Sequence, residues 1–237
     1  MLDLGTGLRY FGRTQPHDGT FSATALLSHL HWDHLQGLPF LTPLLVKGSI
    51  LNVVAPIQDD GRSLEKAIID AISPPTFPVE ITQLPGTLTY RESGDETFNI
   101  GGFEVISRFV PHVGPTLGFR IQWRDKVIVY IPDHQQPFDG SLDLTDGARE
   151  LMDGADLLIH DAQYLPEEFA RRSQWGHCTT EFAVQAARQS RVKHLVLFHH
   201  DPARTDDTLD RVSAALGAET GNSIRLTTAH EGLIIHV

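Results

Sequence analysis

Four side chains able to hold a metal ion, His29, His31, Asp33 and His34, crowd into one six-residue stretch directly after the apolar run Ala25-Leu26-Leu27. An apolar run of that kind reads as a buried strand. In an extended exit from it alternate residues project the same way, so His29, His31 and Asp33 can converge while His34 turns off. Buried imidazoles and carboxylates need partners, and packing four of them so tightly leaves lone pairs facing one another unless a cation sits among them. The stretch therefore asks for a strand that ends at a metal centre, with further donors arriving from elsewhere in the chain.

The chain is long enough to build such a centre. It has 237 residues, 41% hydrophobic and 21% charged, which suits one packed domain spanning 1–237 rather than a disordered or stapled chain. The single cysteine, Cys178, can form no internal disulfide, so nothing calls for an oxidising compartment. The longest nearly apolar stretch, Gly37 to Val46, is broken by Pro39 and Pro43 and falls short of the ~20 residues of a membrane helix. The N-terminus lacks the basic-then-apolar order of a signal peptide, so a cytoplasmic location and no membrane partner are expected. Nineteen basic residues against thirty acidic ones give a net charge of -11, which disfavours a long nucleic-acid footprint.

Strand-length apolar runs alternate with amphipathic stretches, which predicts an α/β chain. The expected strands are 23–28, 50–55, 103–110, 116–123, 127–131, 157–160, 194–198, 224–227 and 233–237, and the expected helices 63–72, 143–152, 180–190 and 206–216. Residues 123–126 read as a hairpin turn, Thr179 or Thr180 as a helix cap, and the proline-rich stretch 73–78 as a stiff loop. Among the later histidines, His112 follows Pro111 after a strand, and His199 ends an apolar run at the place where strand-end residues enter α/β sites, which favours it over the adjacent His200. Taken alone, His112 has a lesser alternative reading as a surface-loop histidine, and Asp133 one as a turn residue after Pro132.

The pattern H-x-H-x-D-H formed by His29, His31, Asp33 and His34 resembles the signature of the metallo-β-lactamase-fold hydrolases. Weaker matches follow in the family's order. Asp3-Leu4-Gly5-Thr6-Gly7 resembles the first acidic strand-end motif, Pro111-His112 the third-histidine motif, and Tyr130-Ile131-Pro132-Asp133 the bridging-aspartate motif. His160-Asp161-Ala162, Gly176-His177 and Leu195-Val196-Leu197-Phe198-His199 resemble motifs of its ribonuclease Z and phosphodiesterase branch, with Asp161 where that branch has Glu. The resemblance implies a four-layer α+β fold, the αββα sandwich, with two divalent ions. These are most simply Zn²⁺, with Mn²⁺ or Fe²⁺ as alternatives for such nitrogen and oxygen ligands. It implies His29, His31 and His112 on one ion, Asp33, His34 and His199 on the other, and Asp133 bridging both. Asp33, His177 and Asp161 are then the catalytic group, His177 as proton donor or phosphate contact and Asp161 orienting it.

In the resembling proteins the acidic motif matched by Asp3 follows several strands. The resemblance therefore implies a sandwich lacking its first N-terminal strands, with a start placed late or the open edge covered by a second copy as a homodimer. Ribonuclease Z carries a long arm for transfer RNA between the third histidine and the bridging aspartate. Here only residues 113–132 fill that interval, with what reads as one hairpin. The expectation is a binuclear hydrolase attacking a small phosphodiester, cyclic or nucleotide-like, with metal-supplied hydroxide, and no large RNA partner. The alternatives are a lactonase or thioesterase, then a transfer-RNA 3′-processing nuclease, then a noncatalytic metal-binding module.

Overall fold

A computed structural model describes residues 1–220 and 224–237, and its contacts group the chain into two compact units, Met1–Gly94 and Asp95–Val237. The first unit holds a three-stranded parallel sheet, β1 (Ser22–Leu26), β2 (Ile50–Pro56) and β3 (Thr87–Ser93), in that order. Its helices are α1 (Leu8–Arg13), the single turn α2 (Trp32–Leu35) and α3 (Leu64–Ala71). The Ser63 hydroxyl caps α3 by accepting from Lys66 N–H, and Leu64, Ala67 and Ile68 turn inward at helical spacing. Leu64 and Ile68 join Leu4, Leu27, Leu35, Leu44, Leu51 and Val53 in one core, where each fully buried Leu or Val contributes roughly 1.5–3 kcal/mol.

Close backbone packing makes one glycine of this unit irreplaceable. A Cβ on Gly37 would lie 1.8 Å from the Gly5 carbonyl oxygen, while Gly37 N–H donates to Leu4 O at 2.8 Å. That contact fastens the turn after His34 to the segment carrying Asp3.

The second unit holds seven strands, β4 (Glu96–Ile100), β5 (Phe103–Phe109), β6 (Leu117–Trp123), β7 (Lys126–Ile131), β8 (Leu157–Asp161), β9 (His194–Phe198) and β10 (Arg225–Thr228). Spatial order follows chain order. The pairs β4 to β7 are antiparallel and β7 to β10 parallel. The parallel connections run through α4 (Asp146–Met152), α5 (Pro166–Arg172), α6 (Thr180–Gln189) and α7 (Asp206–Thr220). Thr179 caps α6 by accepting from Phe182 N–H. Phe182, Ala183, Ala186 and Ala187 of α6 pack with Val129, Ile131, Leu158, Leu195 and Leu197 in a second core.

Eight of the nine expected strands form, with ends shifted by a residue or two. The expected strand at 233–237 does not: these residues follow a turn at Gly232, φ +80°, and run unpaired, with Ile234 77% exposed and no buried face to hold them in a ladder. The chain also forms elements the apolar pattern does not announce. Strand β4 buries no residue fully and is held by its ladder to β5. Helix α5 starts on Pro166 with the Glu168 carboxylate accepting from Leu165 N–H at 2.8 Å. No helix among the described residues is long and apolar enough to cross a membrane.

Candidate metal centre

In the first unit the donors lie just past the carboxyl end of β1. Asp3 organises them from a left-handed backbone, φ +53°, a conformation Asp tolerates better than most residues. Its carboxylate accepts from Ser28 N–H at 2.6 Å, Ser28 Oγ–H at 2.9 Å and His34 Nδ1–H at 2.6 Å. Because the Ser28 hydroxyl spends its proton on Asp3, it accepts from His29 Nδ1–H at 3.0 Å. Both imidazoles are thereby held in the tautomer whose lone pair is on Nε2. The rings of His31 and His34 lie 4.4 and 4.2 Å from that of His29. His34 Nε2 faces Asp33 Oδ2 at 3.2 Å. Two lone-pair atoms at that separation call for a proton or a cation, and Asp33 is otherwise exposed.

In the second unit the groups come from four places remote in sequence, each at or just beyond a strand end: His112 after β5, Asp133 after β7, Asp161 closing β8 and His199 after β9. His112 Nδ1–H donates to Gly176 O at 2.6 Å, which turns Nε2 toward Asp133 Oδ2 at 3.5 Å. His199 Nε2 stands 3.6 Å from Asp133 Oδ1, with the Gln163 amide nitrogen 3.1 Å from its Nδ1; turning the amide by half a rotation puts its oxygen there to accept Nδ1–H. The His199 backbone is also left-handed, φ +55°, strain of the kind that persists at functional sites. His177 Nδ1–H donates to Asp161 Oδ2 at 2.9 Å, lies 3.7 Å from Asp133 Oδ2, and stacks on His199 with ring centres 4.9 Å apart. Donor atoms of Asp133, His177 and His199 all fall within 4.8 Å of one another.

These residues fit divalent metal. Separations of 3.5–3.7 Å are too long for a hydrogen bond and close to the roughly 3.4 Å between two ligands at tetrahedral angles on an ion with bonds of roughly 2.1 Å. Each of His29, His34, His112 and His199 has its other ring nitrogen against a hydroxyl, carboxylate, carbonyl or amide, the outer-shell arrangement of metal-ligating histidines.

Asp161 is fully buried and has both oxygens engaged, Oδ1 by Gln163 N–H at 2.9 Å and Oδ2 by His134 N–H at 3.0 Å and by His177. Beneath it His160 donates from Nδ1 to Asp161 O at 2.7 Å and so accepts from His134 Nδ1–H at 2.8 Å. Burial pushes both rings toward the neutral form, His134 well below the ordinary value and His160 below it against the opposing pull of Asp161. Cys178 Sγ–H donates to Asp161 O at 3.1 Å, and burial pushes its thiol far up, so it packs as a small apolar group. The His200 ring stands apart from this cluster, beside Thr180 and Thr228 in a small cavity.

Two positioning residues escape sequence reasoning. Gln163 abuts His199, and Gln135 ties down the His177 loop by accepting Gly176 N–H at 2.7 Å and donating to Ser173 O at 2.7 Å. Their only sequence signal is adjacency, Gln163 to Asp161 and Gln135 to Asp133.

Residues 7–200 match the family model described as the beta-lactamase superfamily domain. A ribonuclease Z of Gemmatimonas aurantiaca is 25% identical over 259 aligned positions, covering 86% of this chain and 79% of its own. The metallo-beta-lactamase fold protein YhfI from Bacillus subtilis superposes with a TM-score of 0.72 at 19% identity, over 99% of this chain and 86% of its own. A diphosphatase from the PhnP family superposes at 0.68 and 18% identity, over 100% of this chain and 79% of its own. With its donors at strand ends and a match across most of its length, the chain belongs to the beta-lactamase superfamily, as a metal-dependent hydrolase of the metallo-β-lactamase fold in its ribonuclease Z-like branch.

Proposed function

We propose that this hydrolase cleaves a small phosphodiester, cyclic or nucleotide-like. His29, His31 and His112 would hold one divalent ion, Asp33, His34 and His199 the other, and Asp133 would serve both, with zinc the natural occupant of such imidazole and carboxylate donors. When bound, a pair of divalent ions supplies Lewis acidity and a water of lowered pKa. The rest of the chemistry belongs to side chains of this chain.

One observation carries the reading: His177 is fixed through Nδ1 to the buried, fully engaged Asp161 carboxylate and stacked on His199, with Asp133 in reach. The carboxylate fixes the orientation of the ring through Nδ1, so Nε2 is the atom of His177 left to face a departing alkoxide as general acid. A phosphodiester needs that proton at its leaving oxygen. The shorter Asp161, in place of the branch's Glu, still reaches the ring at 2.9 Å.

Substrate size is argued from the interval between His112 and Asp133. It is filled by the β6–β7 hairpin, which closes at Trp123 and Lys126 and leaves no segment for an RNA-gripping arm. The net charge of -11 also works against a long polyanion. A ribonuclease Z relative and a PhnP-family diphosphatase neighbour both have names that denote cleavage at phosphorus.

The test is hydrolysis of bis(p-nitrophenyl) phosphate by metal-loaded and chelator-stripped protein. On a diester with an unactivated alkoxide leaving group His177→Ala should lower kcat about 10²–10⁴-fold with bound metal unchanged, and far less on the nitrophenyl ester, whose leaving group departs unprotonated; His31→Ala should lose both metal and turnover. Hydrolysis of lactones or thioesters instead, indifferent to His177→Ala, would overturn the reading.

A further inference from the structure

We infer that Trp175 is a stacking platform for a nucleobase, so that the phosphodiester taken by this site carries a planar heteroaromatic group. The inference rests on the phosphodiesterase reading for what lies at the ligand's other end.

The indole is 63% exposed, yet the loop that carries it is tied down by side-chain hydrogen bonds. Trp175 N–H donates to Arg172 O at 3.0 Å as α5 ends. The next residue, Gly176, has φ +94°, donates to Gln135 Oε1 and accepts from His112 Nδ1, and a Cβ there would lie 2.4 Å from that ring nitrogen. One residue further stands His177. The backbone holding the indole is thus bolted on one side to a candidate metal ligand and on the other to the candidate proton donor.

The ring itself is held from within. The Arg172 guanidinium sits 5.6 Å from the Trp175 ring and 5.5 Å from that of Tyr164, and its Nη1 donates to Asp201 Oδ2 at 2.5 Å. Tyr164, fully buried, meets the His177 ring edge-on at 5.8 Å. A continuous ladder of rings and one guanidinium therefore runs from His177 to Trp175. A fixed indole turned toward solvent loses little freedom when a second ring lies on it, and bases stack on such rings whatever their identity.

Trp123 makes the contrast. It is 44% exposed, but it stacks against Phe103 at 6.1 Å, Arg124 covers it at 4.2 Å, and it sits at the tip of the β6–β7 hairpin, remote in sequence from every donor. Trp175 has the Arg172 guanidinium against its ring and stands two residues from His177.

The experiment compares kcat/KM for a nucleoside 2′,3′-cyclic phosphate with that for the baseless methyl riboside 2,3-cyclic phosphate, in parallel with quenching of indole fluorescence by a nucleoside 5′-monophosphate. In the wild type the base-bearing substrate is preferred. The preference falls about five- to hundredfold in Trp175→Ala, mainly through KM, and is retained in Trp175→Phe. Quenching persists in Trp123→Phe and in Trp32→Phe, and disappears in Trp175→Ala made on the Trp32→Phe background. Equal hydrolysis of both substrates by the wild type, or equal losses on both in Trp175→Ala, overturns the platform and leaves the phosphodiesterase reading standing. Quenching at Trp175 without hydrolysis of any phosphodiester does the reverse.

Discussion

The two units assemble their donors by opposite routes. In Met1–Gly94 the four candidate ligands lie on one six-residue stretch, and a single acidic residue, Asp3, orders Ser28, His29 and His34 behind them. In Asp95–Val237 the candidate groups are spread between residues 112 and 199, at strand ends and, for His177, in the loop before α6, and each histidine has its own supporter: Gly176 O for His112, Gln163 for His199, Asp161 for His177. A local cluster with one shared support is fragile at one point. A dispersed cluster spreads its dependence over many contacts, each of smaller effect.

The largest test of this difference uses two glycines. Gly37→Ala drives a Cβ into the Gly5 carbonyl at 1.8 Å, backbone against backbone, and should leave the first unit unable to fold, read as lost near-ultraviolet circular dichroism and insoluble expression. Gly176→Ala meets instead the His112 ring at 2.4 Å and a positive φ. A ring can move, so this variant should fold with about 1–3 kcal/mol less stability and a displaced His112, seen as reduced metal content. Equal outcomes would break the comparison.

Next come the supports. Asp3→Ala strips three hydrogen bonds from a buried carboxylate at once and should cost about 3 kcal/mol in denaturant unfolding as well as metal affinity. Gln163→Leu should lower zinc affinity about 10–100-fold with little change in unfolding midpoint of the metal-free chain, and Gln163→Glu should restore it. Ligation through His199 Nε2 leaves the proton on Nδ1, so the group facing it must present an oxygen, as the Gln163 amide does when turned and a carboxylate does always.

The smallest effect is acid sensitivity confined to the second unit. Burial keeps His134 and His160 neutral, their pKa values below the ordinary 6.5. The unfolded chain therefore binds protons that the folded chain does not, so stability is complete above about pH 6.5 and declines as the pH drops below it. Urea midpoints of the chelated protein at pH 7.5 and 5.5 should show this fall, and His160→Gln should flatten it.

Legibility in the sequence follows the same divide. The H-x-H-x-D-H stretch needs no fold to be seen, because ligand spacing along an extended exit is a local property of the backbone. Strands β5 to β9 were legible as apolar runs because they are buried. Strand β4 was not, since its residues are half-exposed and pairing with β5 supplies what burial does not. The supporting glutamines carry no local signature, because an amide gains a role only from the ring it faces.

The sequence alone determined the class of chemistry, the donor types and their order along the chain, since these depend on which side chains are present and how they are spaced. Only the tertiary structure decided which ring nitrogen His29, His34 and His112 present, that His199 and not His200 stands beside Asp133, and that Trp175 is held against Arg172 with most of its surface exposed. Those outcomes depend on hydrogen bonds and packing between residues tens of positions apart, and the free energy that settles them belongs to the folded arrangement rather than to any stretch of chain.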